Sequence, residues 1–425
     1  MEKYQRYYQA VSYLENLSNL KQQQDYMNDH RRPEIFLKRM REFLRLLNNP
    51  DRNLNFIHLT GTAGKGTVAI MLQEILLASG QKVGSFTSPF ATTSIEKIRI
   101  NNNYISPHKF ADLVEELKPI IDQAYSQSRY GGPSYFEIFL ALALLYFKRE
   151  KCDWIILEAG AGGSYDATNV IVKPKITAIT NIHLDHTQIL GNTLKQIATD
   201  KAGIIKKNST FFTTEKRPAL QKIFQYQCRK KKSRYNLIAA GNNYQSANEA
   251  LAQAIAGHLG LDNQAIHAGI KRTKLPCRFE VMQKNPLVIL DGAHNEIKMK
   301  STVSNLQNTK YRKLLLVVAL AANKKAKAIL NSVVPLADEI IITHFEITQR
   351  KSFHPQKLNE LVKGLKRKQT KSTIMLDPNQ AMQRALKKAS KKDLILATGS
   401  FFLTGALRKH WYTESYILKN RTSFR

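Results

Sequence analysis

A short apolar segment that runs into a glycine-rich loop and then into an apolar helix limits the fold more than any other feature. Residues 55–59 (NFIHL) predict a strand, residues 61–67 (GTAGKGT) form the loop, and residues 68–79 show helical spacing up to Gly80. A further strand is predicted at 82–87. Strand, loop, helix and strand in this order are the opening unit of a parallel α/β sheet.

The alternation of helices and strands continues beyond this unit. The first part of the chain adds two predicted helices within 1–48, helices at 136–148, 193–202 and 245–257, and strands at 154–158 and 175–180. Residues 209–240 are strongly basic and lack a clear period, so we expect irregular structure there.

A second α/β set begins near residue 273. It contains predicted strands at 287–290, 313–319, 339–343, 372–376 and 393–397, and helices at 297–307, 324–335, 355–366 and 379–390. We therefore predict an α/β protein in which a P-loop-type parallel-sheet ATPase domain, residues 1–272, precedes a smaller Rossmann-like α/β domain, residues 273–425.

The chain is strongly basic, with 65 Lys and Arg residues against 33 Asp and Glu and a formal net charge of +32. Such a charge suits a nucleic-acid or other polyanionic partner, or reflects a surface that is simply rich in lysine. The charges cluster at 205–233, 322–328 and 362–371, without a basic motif interleaved with aromatic residues. We therefore favour the lysine-rich surface over a nucleic-acid partner.

Three further features concern location. No apolar run reaches the about 18 residues that a membrane-spanning helix needs. The N-terminal sequence MEKYQRYYQAVSYLENL is too polar for a secretory signal. Cys152, Cys228 and Cys277 are scattered without metal-like spacing, which fits free thiols in a reducing compartment. We expect a cytoplasmic protein with no membrane partner.

The glycine-rich loop predicts a phosphate site, because its backbone N–H groups and the following helix N-terminus would face an anion. Lys65 would add a charge for the β- and γ-phosphates, and the Thr67 hydroxyl could reach a magnesium ion. The strict Walker A spacing is not met, since Leu59 stands at the first glycine position and Gly66 separates Lys65 from Thr67. A purely structural turn is the alternative.

Other polar residues follow predicted strands, where open α/β sheets place their ligands. Glu158 ends a strand before Gly160-Ala161-Gly162-Gly163 and suits magnesium, although a salt-bridged core carboxylate is an equal alternative. The remaining candidates also have purely structural explanations. His183 and His186 could be hydrogen-bonded core histidines, and Lys201 could compensate a helix dipole. The DGAHN segment at 291–295 could be a polar helix cap.

Taken in order, the motifs resemble the folylpolyglutamate synthase/dihydrofolate synthase family, a branch of the Mur ligase superfamily. The resemblance runs nearly end to end and rests on HLTGTAGKGT, TSPF, EKIRIN, SYFEI, LEAGAGGSYDATN, ITNIHLDHTQILGNTLKQIATDKAGIIK, NYQSAN, LPCRFE, LDGAHN and ATGSFF. It implies that ATP activates the carboxylate of a folate or dihydropteroate as an acyl phosphate. The amine of L-glutamate then attacks this intermediate, which gives an amide, ADP and phosphate.

The same resemblance implies roles for single residues. The catalytic set would be Lys65, Glu158, His186 and Lys201, with Lys201 carbamylated. ATP would contact Gly61, Thr62, Gly64, Lys65, Gly66, Thr67, Asn248, Arg278, Asp291 and His294. Two magnesium ions would be held by Thr67, Ser88, Glu158 and His186. The resemblance also implies an ATP-binding domain of the Mur ligase central type, a C-terminal glutamate-ligase domain and a monomer.

The sequence departs from the family pattern at several places. Ala63 replaces an asparagine, Phe90 replaces a histidine, and the two aspartates of an ALADKD motif are missing from residues 319–324. The segment between KAGIIK and NYQSAN is short, so we expect strands near it to be missing. These departures concern glutamate and pterin handling more than ATP binding, and they allow a divergent ligase with another acceptor.

Three other functions are compatible with some of the same motifs. A cell-wall Mur ligase carries a UDP-sugar domain before the loop, for which the about 55 preceding residues are too few. A basic P-loop protein that binds nucleic acid would show affinity that falls steeply with salt. A degenerate ligase kept as a binding protein would bind nucleotide without turnover.

Overall fold

The strands with the most apolar sequences lie at the centre of two parallel sheets. The computed structural model describes residues 2–18, 32–241, 243–346 and 351–424. Contacts divide the chain into a first unit, Met1–Pro89 with Ser94–Lys274, and a second unit, Phe90–Thr93 with Leu275–Arg425. The sequence gives no signal for the placement of Phe90–Thr93 in the second unit.

Helices and strands alternate along the first unit. Its elements are α1 (Gln5–Ser18), α2 (Glu34–Leu46), β1 (Phe56–Thr60), α3 (Lys65–Ala78), β2 (Val83–Phe86), β3 (Ile98–Ile100), β4 (Asn103–Tyr104), α4 (Pro107–Gln127), α5 (Tyr135–Arg149), β5 (Trp154–Glu158), β6 (Ile176–Ile179), α6 (Thr187–Leu190), α7 (Leu194–Ala202), β7 (Thr210–Thr213), α8 (Pro218–Lys231), β8 (Arg234–Leu237), α9 (Tyr244–His258) and α10 (Asn263–Arg272). Short 3-10 turns occur at Glu2–Tyr4, Ser94–Lys97 and Ala167–Val170.

The sheet of this unit has the strand order β4-β3-β2-β5-β1-β6-β7-β8. The strands from β2 to β8 run parallel, and β3 and β4 form an antiparallel extension at one end. β1 lies between β5 and β6, with Leu59 opposite Glu158 and Thr60 opposite Ile179. The carboxyl ends of these three strands therefore meet at one edge of the sheet, where the glycine-rich loop begins.

The expectation of irregular structure at residues 209–240 was wrong, because the segment contains β7, α8 and β8. That strands of the family pattern are missing near it stays a prediction. Leu220, Phe224 and Cys228 are buried at four-residue spacing along α8, which is the period of a helix with one apolar face. The basic residues on the other face hide this period in the sequence.

Several elements of the first unit had no prediction. Ser106 precedes α4, and its side chain accepts a hydrogen bond from the Lys109 amide; Asp262 precedes α10 and accepts from the Ala265 amide in the same way. Both are N-cap residues of the preferred type, so the capping signal was available in the sequence. β3 and β4 are only three and two residues long, which is too short for an alternating pattern to show.

The second unit is a smaller α/β fold. Its elements are β9 (Glu280–Lys284), β10 (Leu287–Asp291), α11 (Glu296–Gln307), β11 (Leu314–Val318), α12 (Ala326–Leu330), β12 (Glu339–Ile342), α13 (Pro355–Leu365), β13 (Lys371–Ile374), α14 (Pro378–Lys388), β14 (Leu394–Thr398), α15 (Phe401–Arg408) and α16 (Glu414–Asn420). The strand order is β13-β12-β11-β14-β10-β9, and only β9 is antiparallel to its neighbour.

The helix predicted at 324–335 is shorter in the structure. It is split into α12 and a 3-10 turn at Val334–Leu336, because Pro335 cannot donate the hydrogen bond that a continuing helix needs. The predicted strands of this unit agree with the observed strands within two residues at each end. No helix in the described ranges is both long and apolar enough to cross a membrane.

A buried ion pair fixes the end of the second unit. The Arg408 guanidinium, fully shielded from solvent, donates from Nε to Glu280 Oε2 at 2.8 Å and from Nη2 to Oε1 at 2.8 Å. Arg408 also donates to the Ser423 carbonyl. The pair joins the end of α15 to β9, so the last residues of the chain are attached to the sheet edge. The three cysteines are free thiols and all are buried.

Candidate active site

The glycine-rich loop turns sharply twice before α3 begins. Gly61 has a φ of +147° and Gly64 a φ of +83°, and both are backbone conformations that favour glycine. A Cβ atom at Gly61 would lie 1.9 Å from Thr180 Oγ1, and one at Gly64 would lie 2.2 Å from Asn248 Oδ1. α3 begins at Lys65, three residues before the predicted start, which places Gly66 and Thr67 in its first turn.

The end of β6 holds the loop backbone. The Ala63 amide donates to Asn181 Oδ1 at 3.0 Å, and the Ala63 carbonyl accepts from Asn181 Nδ2 at 2.9 Å and from Thr180 Oγ1 at 2.6 Å. The Thr62 amide donates to the Asn181 carbonyl at 2.9 Å. Side chains that follow another strand therefore fix the loop. Ala63, which replaces the asparagine of the family pattern, is held through its backbone amide and carbonyl.

Glu158 brings three of the predicted site residues together. Its Oε1 lies 3.9 Å from Lys65 Nζ, and its Oε2 accepts a hydrogen bond of 3.1 Å from the Ser88 amide. A Cβ at Gly66 would lie 3.3 Å from Oε2. Lys65 Nζ also donates to the Gly61 carbonyl at 3.2 Å. The carboxylate is buried beside the loop. A group that can bind a metal ion through oxygen therefore lies next to the N-terminus of α3.

Lys201 is buried at the end of α7, in contact with the glycine segment that follows β5. A Cβ at Gly163 would lie 2.7 Å from the Lys201 Cα atom. Burial, and then the charge of Lys65, lowers the pKa of the Lys201 ammonium to about 7. A substantial fraction of this amine is therefore neutral near pH 7.

Asp166 is a candidate that the sequence prediction did not include. It is buried and accepts hydrogen bonds from the amides of Ala161 and Thr168 at 2.9 and 3.0 Å. Burial raises the pKa of its carboxyl, and hydrogen bonds from Thr168 and Ala161 and the Lys65 charge oppose this rise. The signal in the sequence was the DATN motif, in which the aspartate precedes a short 3-10 turn as its N-cap.

The two histidines after β6 differ in their surroundings. His186 has a φ of +51° and precedes the short helix α6. The His183 Nε2 atom lies 3.2 Å from the Tyr244 hydroxyl, and burial, followed by the charge of Arg217, lowers the pKa of His183. These observations favour a structural role for His183, and the role of His186 as a metal ligand stays a prediction.

The predicted metal ligands fit a hard cation in their chemistry. In the described ranges, no three His, Cys, Asp or Glu side chains form a group that could hold a metal ion. The predicted set contains only two such residues, Glu158 and His186, together with the hydroxyls of Thr67 and Ser88. Magnesium takes few protein oxygens and keeps phosphate and water as its other ligands, so a buried carboxylate beside a hydroxyl suits it.

A second buried lysine joins two of the motifs that carried the resemblance. Lys97, from EKIRIN, places Nζ 4.1 Å from the ring centre of Tyr135 and 4.0 Å from that of Phe139, both from the SYFEI helix α5. Burial lowers its pKa to about 7, although the charge of Glu15 opposes this. Cation–π contact therefore partly replaces the water that this ammonium lost.

In the second unit the predicted residues gather at the carboxyl end of β10. Asp291 is buried and accepts a hydrogen bond of 2.8 Å from Thr302 Oγ1. Burial raises the pKa of Asp291 to about 6, against the hydrogen bond from Thr302 and the charge of Arg278. The Arg278 guanidinium lies over the Phe401 ring at 4.9 Å.

His294 is oriented by two contacts. Its Nδ1 lies 2.9 Å from the Gly292 carbonyl, which requires Nδ1–H to donate, and its Nε2 lies 3.1 Å from the Lys298 ammonium, from which it accepts. The two ring nitrogens of His294 therefore have different partners, which fixes the orientation of the ring. Arg278 and His294 thus lie on the loops beside Asp291, at the strand edge where Rossmann-like folds bind ligands.

Comparison with known domains agrees with this arrangement. Residues 131–280 match the Mur ligase middle domain, and residues 277–401 match the Mur ligase glutamate ligase domain. A glycine-loop α/β unit followed by a glutamate ligase domain defines the class of the Mur-type ligases.

Sequence relatives show to which family within this class the chain belongs. A dihydrofolate synthase/folylpolyglutamate synthase of Bacillus subtilis is 28% identical over 415 residues, which cover 88% of this chain and 94% of the relative. The protein of that name from Buchnera aphidicola is 30% identical over 372 residues, covering 81% and 86%. The chain belongs to the folylpolyglutamate synthase/dihydrofolate synthase family.

A solved structure shares the fold along nearly the whole chain. It is a bifunctional folylpolyglutamate synthase/dihydrofolate synthase with Mn, AMPPNP and L-glutamate bound. The TM-score is 0.79 at 25% sequence identity, and the match covers 94% of this chain and 97% of that one. The α/β fold predicted from the sequence, with its parallel sheets, is confirmed.

Proposed function

We propose that the chain uses ATP to join L-glutamate to the carboxylate of a folate or a dihydropteroate. The chain is an ATP-dependent ligase that also needs a divalent metal, in keeping with its family and with the Mn, AMPPNP and L-glutamate named for its structural relative. The observation that carries the proposal is the position of Glu158, whose carboxylate lies beside Lys65 and the first turn of α3.

Lys65 and the loop amides would bind the β- and γ-phosphates of ATP. The N–H groups at the start of α3 and the Lys65 ammonium favour the negative charge that spreads over the transferred phosphoryl group. Glu158 and Thr67 would hold magnesium, and a bound magnesium ion would reduce the repulsion between the phosphate and the carboxylate that attacks it. Ser88 and His186 complete the ligands that the resemblance implies.

Lys201 would carry a carbamate in the active enzyme. The ammonium first loses one proton. The neutral amine then attacks CO2 and forms a C–N bond while one C=O π bond becomes a C–O− single bond, and the nitrogen releases a second proton, so that a cation becomes an anion. The pKa of about 7 supports this proposal, because the reaction requires the unprotonated amine. An anion at this position would suit a magnesium-rich site better than the ammonium does.

The remaining predicted contacts stay part of the proposal. Asn248 in the first unit, and Arg278, Asp291 and His294 in the second, would contact the nucleotide. Two magnesium sites, a monomeric state and a cytoplasmic location also stay predictions. Asn248 has the strongest support, because its side-chain oxygen approaches the loop at Gly64.

The decisive experiment measures phosphate release from ATP by the purified protein. Dihydropteroate, tetrahydrofolate and no acceptor are compared, each with and without L-glutamate. We expect release that requires both an acceptor and L-glutamate, with product mass increased by one glutamate residue. If neither acceptor stimulates release, the proposed substrates are wrong, and ATP binding without any turnover would indicate a degenerate ligase.

A further inference from the structure

The basic residues of the first unit are not evenly distributed. Three segments, residues 169–176, 205–210 and 228–235, contain no Asp or Glu. They precede or enter β6, β7 and β8, which are adjacent parallel strands. The fold therefore brings three stretches without acidic residues to one edge of the sheet.

Hydrogen bonds show how closely these segments pack. The Thr210 amide donates to the Lys175 carbonyl at 3.0 Å, the Arg234 amide to the Ser209 carbonyl at 3.1 Å, and the Asn208 amide to the Lys231 carbonyl at 3.1 Å. Neighbouring strands lie about 4.8 Å apart, so the three segments form one continuous strip.

The strip, which we name the basic edge, exposes seven cations. They are Lys173, Lys175, Lys207, Arg229, Lys230, Lys232 and Arg234. In the described part of the chain, none of these side chains forms an ion pair. Nearby, Lys206 has a pKa lowered to about 8 by burial and then by the charges of Lys231 and Arg41. The Asp51 carboxylate pairs with Arg41 at 2.9 Å, so the like charges that crowd together at this edge are those of the exposed strip cations.

Helix α8 extends the basic edge with an aromatic ring. Lys222, Tyr226 and Lys230 follow one another at four-residue spacing, so they lie along one face of the helix. All three are exposed, and Tyr226 has 60% of its surface accessible. A planar ring with a cation one turn away on either side can stack on a base while the cations contact the flanking phosphates.

We propose that the basic edge and the α8 face bind single-stranded nucleic acid. The positive charge of the surface favours a polyanion as the ligand. The exposed tyrosine between two cations favours a polyanion with planar bases that can stack on the ring. The site lies at the amino ends of β6 to β8, whereas Glu158 and Asn181 lie at the carboxyl ends of their strands. Binding at the basic edge is therefore a function separate from glutamate ligation.

The test is fluorescence anisotropy with labelled oligouridine and oligothymidine of about 20 nucleotides. A variant with Lys207, Lys230, Lys232 and Arg234 all changed to Gln removes four cations from the basic edge. Its matched control changes the exposed Lys325, Lys327, Lys363 and Lys368 of the second unit to Gln. Both variants lose the same net charge, so the comparison separates a local site from the overall charge of the protein.

We expect the edge variant to bind at least tenfold more weakly, and the slope of log K against log salt to become shallower by about 3. The control should bind within about twofold of the wild type, and phosphate release should be unchanged in both. Equal weakening in the two variants, or unchanged binding by the edge variant, would overturn the proposal. Stronger binding of either oligonucleotide identifies RNA or DNA as the preferred form.

A single substitution gives a second test that does not depend on the fourfold variant folding. Tyr226→Ala should weaken binding about tenfold because base stacking is lost, and Tyr226→Phe should retain binding. Vesicles of phosphatidylglycerol provide the competing outcome. If the edge substitutions abolish vesicle binding and leave oligonucleotide binding intact, the surface binds lipid and the proposal is wrong.

Discussion

The Lys65 ammonium lies 3.9 Å from the Glu158 carboxylate, and 17% and 6% of the two side chains are accessible to solvent. Lys65 is the first residue of α3, and Glu158 is the last residue of β5. The two charges meet because β5 is the immediate neighbour of β1 in the sheet. A nucleotide phosphate and a metal ion can each bind one member of this pair.

Lys65→Ala and Glu158→Gln should each lower kcat by at least about 100-fold, because each removes a charge that stabilises phosphoryl transfer. The measurement is phosphate release with L-glutamate and the acceptor that the wild type uses. Lys82 and Glu150 provide a matched pair, since they are 3.0 Å apart but more exposed. Lys82→Ala and Glu150→Gln should leave kcat unchanged; similar losses in both pairs would contradict the assignment.

Gly64→Ala should reduce both stability and ATP affinity. The substitution places a Cβ 2.2 Å from Asn248 Oδ1 in a left-handed backbone. Gly80 is the ideal control, because it has the same φ of +83° and an added Cβ would meet no atom within 4 Å. Gly80→Ala should cost only the backbone strain of about 1–2 kcal/mol. Thermal melts and nucleotide titrations should therefore separate the two variants, and equal behaviour would argue against the Asn248 contact.

Carbamylation of Lys201 should increase as pH rises through about 7, the pKa of its ammonium. The measurement is the carbamate signal in a carbon NMR spectrum with labelled bicarbonate, followed against pH together with kcat. Lys201→Met should lose the signal and the activity. Lys206→Met, which removes another partly buried lysine on the same part of the chain, should retain both. A signal that persists in Lys201→Met would place the carbamate elsewhere.

The same pKa has a consequence for stability. Between about 7, the pKa of the folded state, and 10.5, the ordinary value, the unfolded chain binds more protons at Lys201 than the folded protein does. The contribution of Lys201 to the free energy of unfolding therefore rises with pH across this window. Below pH 7 the penalty for the buried charge is fully present. Lys201→Met should relieve it, so the variant should gain stability at pH 6 and gain less at pH 9.

Asp291→Asn should stabilise the protein and weaken nucleotide binding. The folded pKa of about 6 exceeds the ordinary 3.8, so the contribution of Asp291 to stability falls as pH rises between these values. At pH 7 the asparagine should add about 1–3 kcal/mol, and near pH 3 the difference should vanish. Thr302 can still donate to the amide oxygen. Chemical denaturation at several pH values provides the measurement.

Asp393 is a control of opposite sign for this experiment. Although burial raises the pKa of its carboxyl, hydrogen bonds from Arg312 and Ser390 outweigh burial and leave the pKa below the ordinary value. Asp393→Asn should therefore destabilise the protein at pH 7. If both asparagine variants shifted stability in the same direction, the electrostatic account of Asp291 would be wrong.

The sequence predicted the central strands well, because β1, β5, β11 and β14 are mainly apolar and become almost wholly buried in the sheet. It failed for α8, where lysines outside the apolar face disguise the helical period. It also missed β9, since an antiparallel edge strand that is only partly buried and mostly polar resembles a loop. These errors concern the solvent-facing parts of the fold.

The meeting of Lys65 and Glu158 could be predicted, because parallel strands present their carboxyl ends at one edge. The role of Asn181 could not. Its side chain bonds both the amide and the carbonyl of Ala63, and such a contact between loops depends on tertiary packing that no local pattern encodes. The approach of Asn248 to Gly64 escaped prediction for the same reason.

The attachment of the loop to Thr180 and Asn181 bears on how portable this motif is. The seven residues GTAGKGT do not contain the groups that hold their own backbone at Ala63. A protein engineer who grafted only these residues onto another strand–helix junction would transfer the sequence of the loop without its backbone conformation. A working transplant must carry two separate pieces of chain, the loop and the end of its neighbouring strand, and must keep them side by side.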